Sequence, residues 1–205
     1  MARTDTLTNF LTDVAAAIKT KKGDETAIPA ANFDTEITNL PLGSGDNTAL
    51  ISLIGRTTTS FEIPEGTIVI GDDVFSNYFS LTSITIPNSV TRIGNYAFLS
   101  CTGLRNIMIP DSVTSIGNNA FNNCNGLTSV TIGNSVTSIG AGAFFNCREL
   151  IEIDFLTHTI IPTLASTNTF DNTSSSLVIK VPSALLDEWK TATNWSTYAD
   201  KIVGV

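Results

Sequence analysis

The nonapeptide IGNYAFLSC at residues 93–101 returns as IGNNAFNNC at 116–124 and as IGAGAFFNC at 139–147. The leading Ile93, Ile116 and Ile139 are 23 residues apart each time, and one more step back reaches Ile70 at the head of IGDDVF. A constant interval of this size marks a repeat architecture. One such coil carries an apolar side that it cannot bury alone. Stacked on its copies, it shares one long core.

Aligned on that interval, the units read LTSITIPNSVTRIGNYAFLSC, LRNIMIPDSVTSIGNNAFNNC and LTSVTIGNSVTSIGAGAFFNC. Three apolar columns head each unit: Leu81, Leu104, Leu127 and Leu150; Ile84, Ile107, Val130 and Ile153; Ile86, Ile109, Ile132 and Phe155. The alternation of β-branched and polar residues predicts a strand with one face inward. Pro87 and Pro110, with Gly133 in the same column, end that strand, because proline cannot donate to a ladder. Val90, Val113 and Val136 then point inward with the isoleucines, and Gly94, Gly117 and Gly140 are expected to permit a sharp bend. Phe75, Phe98, Phe121 and Phe144 form the bulkiest column, on a short helical or irregular turn expected to close the core opposite the strands.

The pattern L-x-x-I-x-I-P-x-S-V-T-x-I-G-x-x-A-F-x-x-C resembles the BspA-type leucine-rich repeat over residues 50–160. That family occurs on bacterial surfaces, in some protists and in phage-encoded proteins. The resemblance implies an α+β leucine-rich-repeat solenoid, rich in β-structure. The first copy loses its valine to Thr67, and the last, IEIDFLTHTIIPTLASTNTF, carries Pro162 where the period calls for isoleucine.

Four segments follow: a helical segment at 1–40, a linker at 41–49, the solenoid at 50–176 and a C-terminal helical cap at 177–205. In the cap, Ser183 is placed to cap a helix running to about Thr191, and Trp189, Trp195 and Tyr198 to cover the end of the core. In the first segment Leu7, Phe10, Leu11, Val14 and Ile18 share one helical stripe, and Phe33, Ile37 and Leu40 mark a second helix. This pair resembles the N-terminal segments of phage-encoded repeat proteins. It reads either as a cap on the first coil or as an attachment or oligomerisation module, trimeric in the latter case; the PLGSGDN linker favours the latter.

A net charge of −8 with scattered Lys and Arg argues against a nucleic-acid groove. No stretch approaches the roughly 20 apolar residues that cross a bilayer, so membrane insertion is not expected. The N-terminus lacks a basic region followed by an apolar core, so no signal peptide is expected.

No catalytic, cofactor or metal constellation emerges. Cys101, Cys124 and Cys147 recur at the period and read as a column of buried thiols. His158 reads as a surface residue on a degraded coil, Asp72, Asp73 and Asp154 as solvated carboxylates, and the sequons at Asn172 and Asn194 as turn chemistry. The candidate binding surface is the polar strand stripe: Thr82, Ser83 and Thr85; Arg105, Asn106 and Met108; Thr128, Ser129 and Thr131; then Ile151, Glu152 and Asp154. A second ladder, Thr91, Thr114 and Thr137 with Arg92, Ser115 and Ser138, is the ice-binding alternative, interrupted by Arg92. The expected function is that of a non-enzymatic phage virion component, tail or fibre, that recognises a bacterial surface glycan or protein. Other virion proteins would be met through the N-terminal helices. The alternative is a bacterial cell-surface or secreted adhesin binding host or neighbouring-cell proteins.

Overall fold

The structure, a computed structural model, describes residues 59–205. The expected N-terminal helices, the linker and the first residues of the solenoid lie outside the described residues. Each coil contributes a pair of strands: β1 (Ser60–Glu62) and β2 (Val69–Ile70), β3 (Ser83–Thr85) and β4 (Arg92–Ile93), β5 (Asn106–Ile109) and β6 (Ser115–Ile116). Then come β7 (Ser129–Ile132) and β8 (Ser138–Ile139), β9 (Glu152–Asp154) and β10 (Thr163–Leu164), and lastly β11 (Val178–Val181) and β12 (Ile202–Gly204). The result is a β-solenoid of leucine-rich-repeat type, mostly strand, with one short helix near its C-terminal end.

Every pairing among the described strands is parallel and in register with the period. Ile107 faces Val130, which faces Ile153. The first sheet runs β5-β7-β9-β11-β12, and the β1-β3 pair extends the same stack, because Arg105 N–H donates to Thr82 O across the junction at 3.3 Å. A second sheet, β10-β8-β6-β4-β2, was not legible as strand, since only two residues per coil pair in it. Between the sheets the chain folds back on a short bond, Val113 N–H to Pro110 O at 3.1 Å, repeated at Val90 and Val136.

The glycine column has a different cause from the one the sequence suggested. Gly94, Gly117 and Gly140 are not among the residues with positive φ. They are needed because successive coils touch there: a Cβ on Gly117 would lie 2.5 Å from the Gly94 carbonyl carbon, and one on Gly140 2.5 Å from that of Gly117. The left-handed positions lie in the turn that follows. Asp73, Tyr96 and Asn119 form one such column, and Asn77, Ser100, Asn123 and Asn146 the other, with φ between 53° and 61°. Asparagine tolerates that region better than most side chains, which explains much of its abundance. It also laces the coils together: Asp72 Oδ1 accepts Asn95 N–H, Asn95 Oδ1 accepts Asn118 N–H, and Asn118 Oδ1 accepts Ala141 N–H, at 2.8–2.9 Å.

On the inner side of the same turn the phenylalanines form a continuous spine. Phe75, Phe98, Phe121 and Phe144 stack at centroid spacings of 5.1, 5.0 and 5.2 Å with planes within 4° of parallel. Phe61 packs edge-on at one end and Phe170 stacks at the other. Phe170 follows Phe144 by 26 residues, and Leu164, not Pro162, takes the isoleucine column by pairing with Ile139. The longer loop from Leu156 to Ile161 absorbs the insertion.

The cap closes the far end. Ser183 does not cap a helix: it opens a 3-10 turn at Ser183–Leu185, and α1 (Leu186–Thr191) starts from Leu185 without a side-chain cap. Asp187 and Glu188 in its first turn supply the favourable charge instead. Trp189 and Trp195 are fully buried and Tyr198 nearly so, which bears out their covering role. Trp195 Nε1 donates to Pro162 O at 2.7 Å, and the Tyr198 hydroxyl accepts Phe170 N–H and donates to Thr167 O.

Replacing Phe121 with alanine is expected to cost about 3–5 kcal/mol, because its ring is buried between two others. Chemical denaturation measures this; a loss below about 1 kcal/mol would mean that the spine is not a core.

Candidate functional site

Inward positions of the first sheet are fully spent on the core, so its outward columns are what the coils offer to solvent. The register gathers the expected stripe into two ladders. One holds Ser60, Ser83, Asn106, Ser129 and Glu152; the other holds Glu62, Thr85, Met108, Thr131, Asp154, Lys180 and Val203. Thr82, Arg105, Thr128 and Ile151 flank them one residue earlier. Thr82, Ser83, Thr85, Arg105, Asn106, Met108, Thr131 and Ile151 are exposed, and Thr128, Ser129, Glu152 and Asp154 are half-buried. Met108 stands out at 69% exposed, between threonines in both neighbouring coils.

The polar groups differ in how much of their bonding is left over. The hydroxyls of Thr82 and Thr128 donate back to the carbonyls of Thr59 and Arg105, at 2.7 and 3.0 Å. Asn106 Oδ1 accepts Ser129 Oγ at 2.7 Å, which fixes the amide and leaves Nδ2 to point at other partners. Both cations of the face are held: Arg105 Nη1 lies 3.2 Å from Glu149 Oε2, and Lys180 Nζ 2.8 Å from Glu152 Oε2. Sequence reasoning missed Glu62, Glu149 and Lys180. Counting 23 residues back from Thr85 reaches Glu62, but the insertion before β11 hides Lys180 from any fixed period.

The second sheet presents less. Thr91, Thr114 and Thr137 each send their hydroxyl to the carbonyl one coil back, at 3.1–3.2 Å. That ladder serves the stack itself, and its donors are used up.

The remaining candidates resolve as follows. Cys101, Cys124 and Cys147 are buried, and each thiol donates to a phenylalanine carbonyl, of Phe75, Phe98 and Phe121, at 3.1 Å. Burial pushes the Cys147 thiol up to about 12 and the Cys124 thiol well above its usual value, the latter with help from its two neighbouring thiols. Asp72 and Asp154 accept backbone N–H groups, and among the described residues no group of three or more His, Cys, Asp or Glu is placed to hold a metal ion. Asn172 and Asn194 are both left-handed turn residues, and Asn194 Nδ2 is spent on Leu164 O. His158 is not a surface residue. It is 2% exposed, because its N–H bonds to the carbonyl three residues back just as Val90, Val113 and Val136 do, which drops its ring into the valine column.

With this geometry in view, the comparisons with known proteins agree on architecture. The family described as BspA type Leucine rich repeat region matches residues 55–186 in six copies. Among solved structures, a leucine-rich repeat protein of T. pallidum, TpLRR, is 24% identical with a TM-score of 0.55, over 64% of this chain and 62% of that one. The pneumococcal vaccine antigen PcpA is 21% identical with a TM-score of 0.55, over 74% of this chain and 36% of its own. The chain therefore spans less than two thirds of either relative. No curated protein matches it.

The thiol column yields a direct test. At about pH 8 a thiol reagent is expected to label no cysteine in the native protein and all three after denaturation. Rapid labelling of the native chain would contradict the burial and the raised acidity constants together.

Proposed function

This chain belongs to the BspA-type leucine-rich repeat family, and we propose that it is a non-enzymatic binding protein that engages a bacterial surface glycan or protein through the outward face of β3, β5, β7 and β9. One observation carries the reading. Ser83, Thr85, Asn106, Met108, Ser129 and Thr131 form a rigid ladder with an exposed thioether at its centre, while the opposite sheet spends its hydroxyls internally. Backbone pairing holds the ladder in place, so little side-chain freedom is lost when a partner docks. The paired Arg105 and Lys180 leave Glu62 and Asp154 as the excess charge of the face. A polyanionic partner is therefore disfavoured, and an uncharged or basic one suits the surface.

Two settings fit such a protein. A bacterial cell-surface or secreted adhesin is supported by the family and by the likeness to a pneumococcal antigen. A phage virion component is supported by the sequence of residues 1–49, whose helix pair would dock on other virion proteins or form a trimer. Labelling of intact cells by an antibody to residues 59–205 selects the first setting. Recovery of the chain from purified phage particles selects the second. The solution mass of the chain with and without residues 1–45 reads the trimer directly.

Met108→Glu and Arg105→Glu are each expected to weaken binding to bacterial cells by about tenfold or more, with the thermal transition unchanged by Met108→Glu. Unchanged binding by both variants would remove this face from the function.

A further inference from the structure

We propose that His158 is an acid-sensitive latch for the C-terminal cap: proton uptake by its imidazole loosens α1 from the last coil while the Phe-lined coils before it stay folded. The column in which it sits makes the case. Thr67, Val90, Val113, Val136 and His158 all bond their N–H to the carbonyl three residues earlier, and all are buried. At the first end of the column the polar Thr67 satisfies itself by donating its hydroxyl to Pro64 O at 2.7 Å. At the cap end the imidazole has no such outlet: neither Nδ1 nor Nε2 has a hydrogen-bond partner. Its ring meets Phe155 edge-on at 5.0 Å and Trp189 at 6.4 Å, and the buried Trp189 Nε1 is itself without a partner. Two orphaned polar groups thus face each other across the seam between coil and cap.

An imidazolium in that position gains a second N–H with no acceptor and a charge without solvent. The ionisable groups around it are Asp154 at the end of β9 and Asp111 on the turn after β5. Burial dominates and lowers the histidine below its usual 6.5; the Phe155 carbonyl, Asp111 and Asp154 pull weakly the other way, and none bonds to the ring. On α1, Trp189 is the residue turned to it, with Asp187, Glu188 and Lys190 on either side. The opened cap binds the proton more readily than the closed one. The closed cap is therefore fully favoured above 6.5 and loses ground as pH falls below that value, until the folded histidine itself titrates. A six-residue helix does not persist without its packing, so release of Trp189 releases α1.

The chain carries two tryptophans, and both sit in the cap, so their emission reports on it alone. The full chain is titrated from about pH 7.5 to about pH 5 while emission, quenching by acrylamide and far-ultraviolet circular dichroism are followed. Expected are a red shift and increased quenching below 6.5, with the opening equilibrium shifting by about tenfold per pH unit and the coil signal constant. His158→Val, which installs the residue of the neighbouring coils, is expected to abolish the transition; His158→Gln serves as a second non-titrating variant. A wild-type emission that stays flat overturns the proposal. So does a transition that survives in both variants, or one in which coil and cap signals are lost together.

Discussion

Coil-on-coil stacking is the interaction on which everything else depends. No coil has a core of its own: each buries its leucine, isoleucine, valine and phenylalanine only against the same residues of its neighbours. The stacked rings at 5.0–5.2 Å set the same spacing as the lateral hydrogen bonds, so side chains and backbone enforce one repeat distance. That double constraint explains the glycine column, where backbones nearly touch, and the asparagines, whose oxygens bond the next coil's N–H groups. It also explains why the surface divides into what the stack uses and what it leaves over.

Much of this was legible in the sequence because periodicity converts spacing into neighbourhood. The strand, the Phe spine and the buried thiols follow from the 23-residue interval alone. What escaped the sequence has physical reasons. A two-residue strand leaves no alternation to detect, so the second sheet was invisible. Steric approach and left-handed backbone both select glycine, so its role at Gly117 was misread. The insertion in the last coil shifted the register, which misplaced Pro162 and made His158 look solvent-facing. Of the candidate surface, the outward residues were found, but not that Thr82 and Thr128 spend their donors inward or that Glu149 and Glu152 hold the cations.

The two ends of the described stack are unlike each other. The coils are locally redundant, and the cap is not: Trp189, Trp195 and Tyr198 converge on Phe155 and Phe170 through contacts that occur once. A face made of repeats suits recognition of an extended or repetitive partner. A singular cap suits control, because changing one group there does not disturb the rest of the stack.

The central claim is that stability is transmitted from each coil to the next through touching rings. A double-mutant cycle on Phe98→Leu and Phe121→Leu, set beside one on Phe75→Leu and Phe144→Leu, measures it most directly. Coupling of about 0.5 kcal/mol or more is expected for the adjacent pair and about zero for the distant one. Equal couplings, or none for Phe98 and Phe121, would contradict the account.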